Sequence, residues 1–224
     1  MHSNKAIKSY NRSIHLFILI LVIVSCSTKE SSTHKLTLDP KYKQVQSIST
    51  FAHCKGPNGN YTTKIMSSSD GSCYFSQVTA SNKMFTARIT ADLKGYAIDS
   101  LGTIIDTLSN EAVEMIRSHD FHRLHTNPQH FYNSITYDHD IDNSISLYHG
   151  IDNLQNPVSI YYVKNTRLIS KIELLNPMDT TEVIEIISKK WVETDYGKMV
   201  KEIEIIQARR DTFYFVFERI KINE

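Results

Sequence analysis

From Ile48 onward, apolar and polar residues alternate in short runs separated by turn residues, the period-two pattern of antiparallel strands. Ile48–Cys54 runs into the turn cluster Gly56-Pro57-Asn58-Gly59-Asn60. Tyr61–Met66, a Ser-Ser-Ser-Asp-Gly turn and Cys73–Thr79 follow. In Lys83–Ala91, Phe85, Ala87, Ile89 and Ala91 share one face, and Gly95 and Gly102 flank a short hairpin with Tyr96, Ile98, Ile104 and Ile105. One segment changes period. Ala112, Met115, Ile116 and His119 follow helical spacing, Ser109 stands where a cap belongs, and Glu111 and Glu114 lie near the positive N-terminal end. This predicts a helix over 109–119, with Pro128 marking a break beyond it. Strands resume near 144–149, 158–164, 167–175, 182–192, 199–207 and 212–222. Several are apolar on both faces: Ile184 and Ile186 against Val183 and Ile187, and Phe213, Phe215 and Phe217 against Tyr214 and Val216. A sheet with one wet face does not need this. The pattern predicts strong curvature, or a second apolar face covered by the helix or by a ligand.

The first 25 residues are built differently. Lys5, Lys8 and Arg12 precede an apolar stretch, Ile14–Val24, interrupted only by His15. A membrane-spanning helix needs about 20 apolar residues, so this stretch reads as the core of a secretory signal peptide. It ends in Ile23-Val24-Ser25-Cys26, which resembles the lipobox of bacterial lipoproteins. The resemblance implies a signal peptide over 1–25, cleavage before Cys26, diacylglycerol on the Cys26 sulfur and anchoring by palmitate-class acyl chains. Two or three such chains hold a protein stably, at about 0.8 kcal/mol per buried methylene. Residues 26–39 are polar and rich in Ser and Thr, and read as a lipidated flexible tether. Ser27 stands where inner-membrane retention signals often place Asp, which points to the outer membrane. Lys29-Glu30 is similar to a short charged surface-export signal, so the periplasmic and the surface leaflet both stay open.

Composition narrows the partners. The 224 residues are 41% hydrophobic and 22% charged, which suits a single domain over 40–224. Beyond residue 25 the chain holds 22 basic and 24 acidic residues, a net of −2. Such a domain has no electrostatic reason to seek nucleic acid.

The order of elements resembles the LolA/LolB-like lipoprotein-carrier fold. The similarity rests on Gly95-Tyr96 and a second short strand, Leu108-Ser109-Asn110-Glu111 opening the helix, Trp191 in a late strand, and the aromatic strand Asp211–Asn223 closing the domain. It implies a mainly β domain with one or two helices: a highly curved antiparallel sheet forming an incomplete barrel, whose hollow receives acyl chains. Those carriers begin with a longer helix than Leu38–Ser47 can form.

Candidate chemistry is sparse. His119, His122 and His125 surround Asp120, and two imidazoles three residues apart can bind zinc if a third ligand joins them. The alternative reading packs His119 in the helix stripe, makes His122 and His125 polar partners and buries Phe121. Asp138-His139-Asp140-Ile141-Asp142 alternates carboxylates as a cation loop does, but lacks that loop's glycine and closing glutamate, and reads as a solvated loop. Cys54 and Cys73 fall at opposite ends of one strand, about 20 Å apart, too far for a disulfide. No nucleophile elbow, phosphate loop or zinc-protease motif occurs. The sequence therefore predicts a non-enzymatic envelope lipoprotein with Cys26 as lipid-attachment residue and no metal or other cofactor. Its expected partners are the membrane and an apolar ligand, either an acyl chain or a lipoprotein. An interaction protein without a small ligand, and a metal-dependent hydrolase using the 119–125 histidines, are the other readings.

Overall fold

The structure, a computed structural model, describes residues 34–224; the signal segment 1–25, Cys26 and tether residues 27–33 lie outside the described residues. Thirteen strands form one antiparallel sheet. Six come before the helices: β1 (Ser47–Gly56), β2 (Gly59–Ser68), β3 (Cys73–Thr79), β4 (Met84–Ile89), β5 (Gly95–Ile98) and β6 (Ile104–Thr107). Seven follow: β7 (Asn133–Asp140), β8 (Ile145–Ile151), β9 (Pro157–Val163), β10 (Leu168–Asn176), β11 (Asp179–Thr194), β12 (Gly197–Gln207) and β13 (Asp211–Ile222). The spatial order is β6-β5-β4-β3-β2-β1-β13-β12-β11-β10-β9-β8-β7. The chain starts mid-sheet, steps outward to β6, crosses through the helices to the far edge, and returns by hairpins until β13 closes on β1. Strands β6 and β7 do not pair, so the curved sheet stays open as an incomplete barrel.

Alternation explains the register. Residues two apart point to the same face. On β1, β2 and β13 this buries Ala52, Cys54, Ile65, Phe215 and Phe217 on the inner face, joined by Ile172, Ile186 and Ile203. Each Ile or Phe side chain buried in this way contributes about 1.5–3 kcal/mol. The outer face of β13 differs from expectation: Tyr214 and Val216 remain 47% and 45% exposed, so none of the described residues covers that second apolar face.

Two helices lie on the inner face, within the one or two expected; the sequence places only the first of them. Helix α1 (Asn110–Arg117) begins as predicted, with Ser109 Oγ accepting from the Ala112 amide at 3.3 Å. It stops two residues short of His119. Its deepest side is rotated from the predicted stripe, because Glu114 and Arg117 form a buried ion pair at 2.8 Å beside Val113 and Ile116. Arg117 also donates to the His130 carbonyl, and Asn153 donates to Glu114. Gly95 on β5 lets the helix approach, since a Cβ there would collide with Val113.

Asp120 then caps a second helix, α2 (Phe121–Thr126), accepting from the Arg123 amide at 3.4 Å. All six residues of α2 are buried. Phe121 and Leu124 enter the core. Arg123 donates to the carbonyls of Val45 (2.9 Å) and Gln46 (2.5 Å).

Four local findings bear on the sequence reading, the last two in agreement with it. Residues 133–140 form an edge strand rather than part of a loop; its side chains are mostly exposed, so no apolar alternation marks it. The packed chain starts ahead of residue 40: Leu36 is buried, and Tyr162 donates to the Thr37 carbonyl at 2.6 Å. Among the described residues a single 3-10 turn, Pro40–Gln44, precedes β1, and it buries Tyr42. Cys54 lies opposite Tyr61 and Cys73 opposite Ser67, so six residues of β2 separate two free, buried thiols.

Candidate functional site: a hollow under the first helix

Helix α1 leaves one end of the inner face uncovered. There a cavity of about 540 Å³ opens between the sheet and the C-terminal end of the helix, within the about 300–1,000 Å³ typical of ligand sites. Ile184, Ile186, Ile205, Phe213 and Phe215 supply the sheet side; Met115, Ser118 and His119 supply the helix side. The β1–β2 turn (Gly56, Asn58–Asn60) and the β3–β4 turn (Thr79–Ser81) form the rim, with Tyr61 just inside. Gly56 has a steric reason to be glycine, since a Cβ there would overlap the Phe213 ring.

The floor is aromatic. His119 packs against Phe75, Phe121 and Phe215 with centroids 5.6–6.2 Å apart, and Tyr61 meets Phe215 edge-on at 6.0 Å. His119 Nδ1 donates to the Met115 carbonyl at 2.8 Å, and Ser118 Oγ donates to the same oxygen at 2.7 Å. A carbonyl only accepts, so the proton sits on Nδ1 and Nε2 keeps a lone pair. Burial holds the His119 pKa below the ordinary histidine value, which keeps the ring neutral. Gln77 and Gln207 also line the cavity, and among the described residues no carboxylate and no cysteine do. The hollow can desolvate an apolar chain against Ile184, Ile186, Ile205 and Phe215 and offers uncharged amide, hydroxyl and imidazole groups for hydrogen bonds. It offers neither the charge-paired base nor the thiol that nucleophilic catalysis uses.

The other two histidines of the 119–125 run face different partners. His122 Nε2 donates to the Val200 carbonyl at 2.9 Å. His125 Nδ1 donates to the Phe121 carbonyl at 2.6 Å, and its Nε2 accepts from the Ser188 hydroxyl at 2.7 Å. Among the described residues no group of three or more His, Cys, Asp or Glu is placed to hold a metal ion. The 138–142 carboxylates are likewise dispersed. Asp138 accepts from His139 and His149, Asp140 pairs with Ser146 and Lys164, and Asp142 caps its own turn at Ser144. The residues that build the hollow were not visible as a site. Ile184, Ile205 and Phe213 read only as strand residues, and the one early signal was that their strands were apolar on both faces.

No protein-family model and no curated protein matches the sequence. Solved structures do match the fold. A LolA superfamily protein from Nitrosomonas europaea aligns with a TM-score of 0.57 at 8% identity, over 84% of this chain and 89% of that one. A DUF1329 family protein from Desulfovibrio piger aligns at 0.53 and 11% identity, over 82% and 88%. A domain from Vibrio parahaemolyticus, described as an outer membrane lipoprotein-sorting protein, aligns at 0.52 and 8% identity, over 80% and 86%. The chain thus has a LolA-like fold: a curved, unclosed antiparallel sheet with two helices on its inner face.

Proposed function

We propose that this protein is a non-catalytic lipoprotein of the bacterial envelope that binds an acyl chain, free or carried by another lipoprotein, in the hollow under α1. The observation that carries the reading is the hollow itself: an apolar sheet side with an aromatic floor, uncharged polar groups from Gln77, Gln207, Ser118 and His119, and an open rim. The LolA-like fold supports it, as does the name of the lipoprotein-sorting neighbour. In this reading Cys26 carries the lipid anchor, and residence is in the outer membrane; both rest on the lipobox resemblance and on Ser27. Native mass spectrometry of protein purified from cells, with Cys26 replaced by Ser to remove the anchor lipid, tests the hollow. The expected result is a co-purified lipid mass that disappears in an Ile205→Trp variant, whose indole fills the cavity. Absence of any lipid from the protein with an open hollow overturns the reading. One observation favours an interaction protein instead: the β5–β6 hairpin at the sheet edge leaves Leu101 88% and Ile105 66% exposed.

A further inference from the structure

A second apolar region lies on the opposite side of the sheet. The outer face of β13, β1, β2 and β3 bears two open grooves, of about 610 Å³ and about 400 Å³, which meet at Thr62 and Val78. Strand register sets their character. Val216, His53, Thr62, Val78 and Met84 lie in one row across five strands. Arg219, Phe51, Lys64 and Ser76 form the next row, and Lys221, Ser49, Met66 and Tyr74 the one after. The first groove therefore ends in exposed Tyr214 and Val216, and the second in Lys64, Arg219 and Lys221.

Charge is segregated here. No carboxylate lines either groove. On β10 and β11, Lys171 pairs with Glu173 and Glu185, Lys189 with Glu204 and Lys190 with Glu202, whereas Lys198 and Lys201 on β12 have no acid partner among the described residues. On the grooved face Lys64 and Arg219 have no such acid partner among the described residues, and Arg219 lies over the Phe51 ring at 4.8 Å. Glu218 pairs with His53, and Lys221 meets Glu224. A chain that is net −2 beyond residue 25 thus places Lys64 and Arg219, without acid partners among the described residues, and Lys221, paired with Glu224, beside exposed apolar side chains on one face.

We propose that this outer face docks on an anionic lipid bilayer, with Lys64, Arg219 and Lys221 at the lipid phosphates and Tyr214 and Val216 in the interfacial layer. Charge complementarity selects this occupant. A bilayer surface presents negative charge and apolar depth together over an extended area, and an open, gently curved face fits it better than it fits a small solute. Each cation near such a surface strengthens binding about fivefold. The inference needs neither the hollow's ligand nor the anchor.

The test uses residues 34–224, a compact unit with its own core, sedimented with phosphatidylcholine vesicles made with or without phosphatidylserine. Binding is expected only with phosphatidylserine and is expected to weaken as salt rises. The Lys64→Glu, Arg219→Glu, Lys221→Glu triple variant should bind at least about a hundredfold more weakly. Tyr214→Ser with Val216→Ser should weaken binding but keep its salt dependence. All these side chains are exposed, and circular dichroism confirms that each variant is folded. Equal binding to neutral vesicles, full binding by the triple variant, or no binding to either vesicle by the parent overturns the proposal; the last result assigns the face to a protein partner.

Discussion

Helix α2 makes the fold acid-sensitive in a way that can be worked out. An unfolded histidine takes up its proton near pH 6.5. In the folded protein burial pushes His122 down to about 3 and His125 down to about 4. Below pH 6.5 the unfolded chain binds protons that the native state refuses, so stability falls with pH through that window. At about 1.4 kcal/mol per pH unit for each ring, the two histidines cost about 7 kcal/mol between pH 6.5 and pH 4. Asp120 opposes them. Burial raises its carboxyl to about 6 despite the nearby Arg123 and Arg117, so the folded state gains a proton first and recovers about 3 kcal/mol by the time the unfolded carboxyl titrates near 3.8. The expected net loss is about 4 kcal/mol, a large share of the ~5–15 kcal/mol that holds a typical domain together. Urea unfolding at a series of pH values reads this directly. In His122→Gln the side-chain amide still donates to Val200 but does not titrate. That variant should lose some stability at neutral pH and show a slope shallower by about 1.4 kcal/mol per unit between pH 6 and pH 4. Parallel slopes for the variant and the parent would refute the assignment of acid sensitivity to His122.

Two further outcomes follow from packing. Gly95→Ala puts a methyl group against Val113 and should destabilise the fold by about 1–3 kcal/mol through displacement of α1; a thermal melt identical to the parent's contradicts the described contact. Burial pushes the Cys54 thiol up to about 12 and the Cys73 thiol higher still, so both should resist a thiol reagent at pH 8 and react fully only in denaturant. Rapid labelling of either in the native state shows that its strand is open.

Much of this fold is legible in the sequence, because its strands are bounded by turn residues. Cys73–Thr79 is found with its predicted bounds, and the Gly56–Asn60 cluster does turn β1 into β2. The Ser109 cap is likewise readable, since it depends on residues within one turn. What escaped depends on distant partners. Helix α2 buries His122, Arg123 and His125, which looks wrong for a core until Val200, Val45, Gln46 and Ser188 arrive from far along the chain to accept or donate. Strand β7 escaped for the opposite reason: as an edge it needs no apolar alternation. The hollow joins Met115 and His119 to Ile184, Ile205 and Phe213, a juxtaposition set by the crossover between sheet edges and by no local pattern.

The meeting of β1 and β13 in mid-sheet governs the order in which the molecule can be completed. Among the described residues six strands stand before the crossover and seven after it, and the partner of β1 on its second side is β13. Each half can grow by neighbouring hairpins, which are quick to form, but the seam between them waits for residues 211–222. As the chain emerges N-terminus first, β1 therefore keeps one edge unpaired until Asp211–Ile222 arrives to cover it.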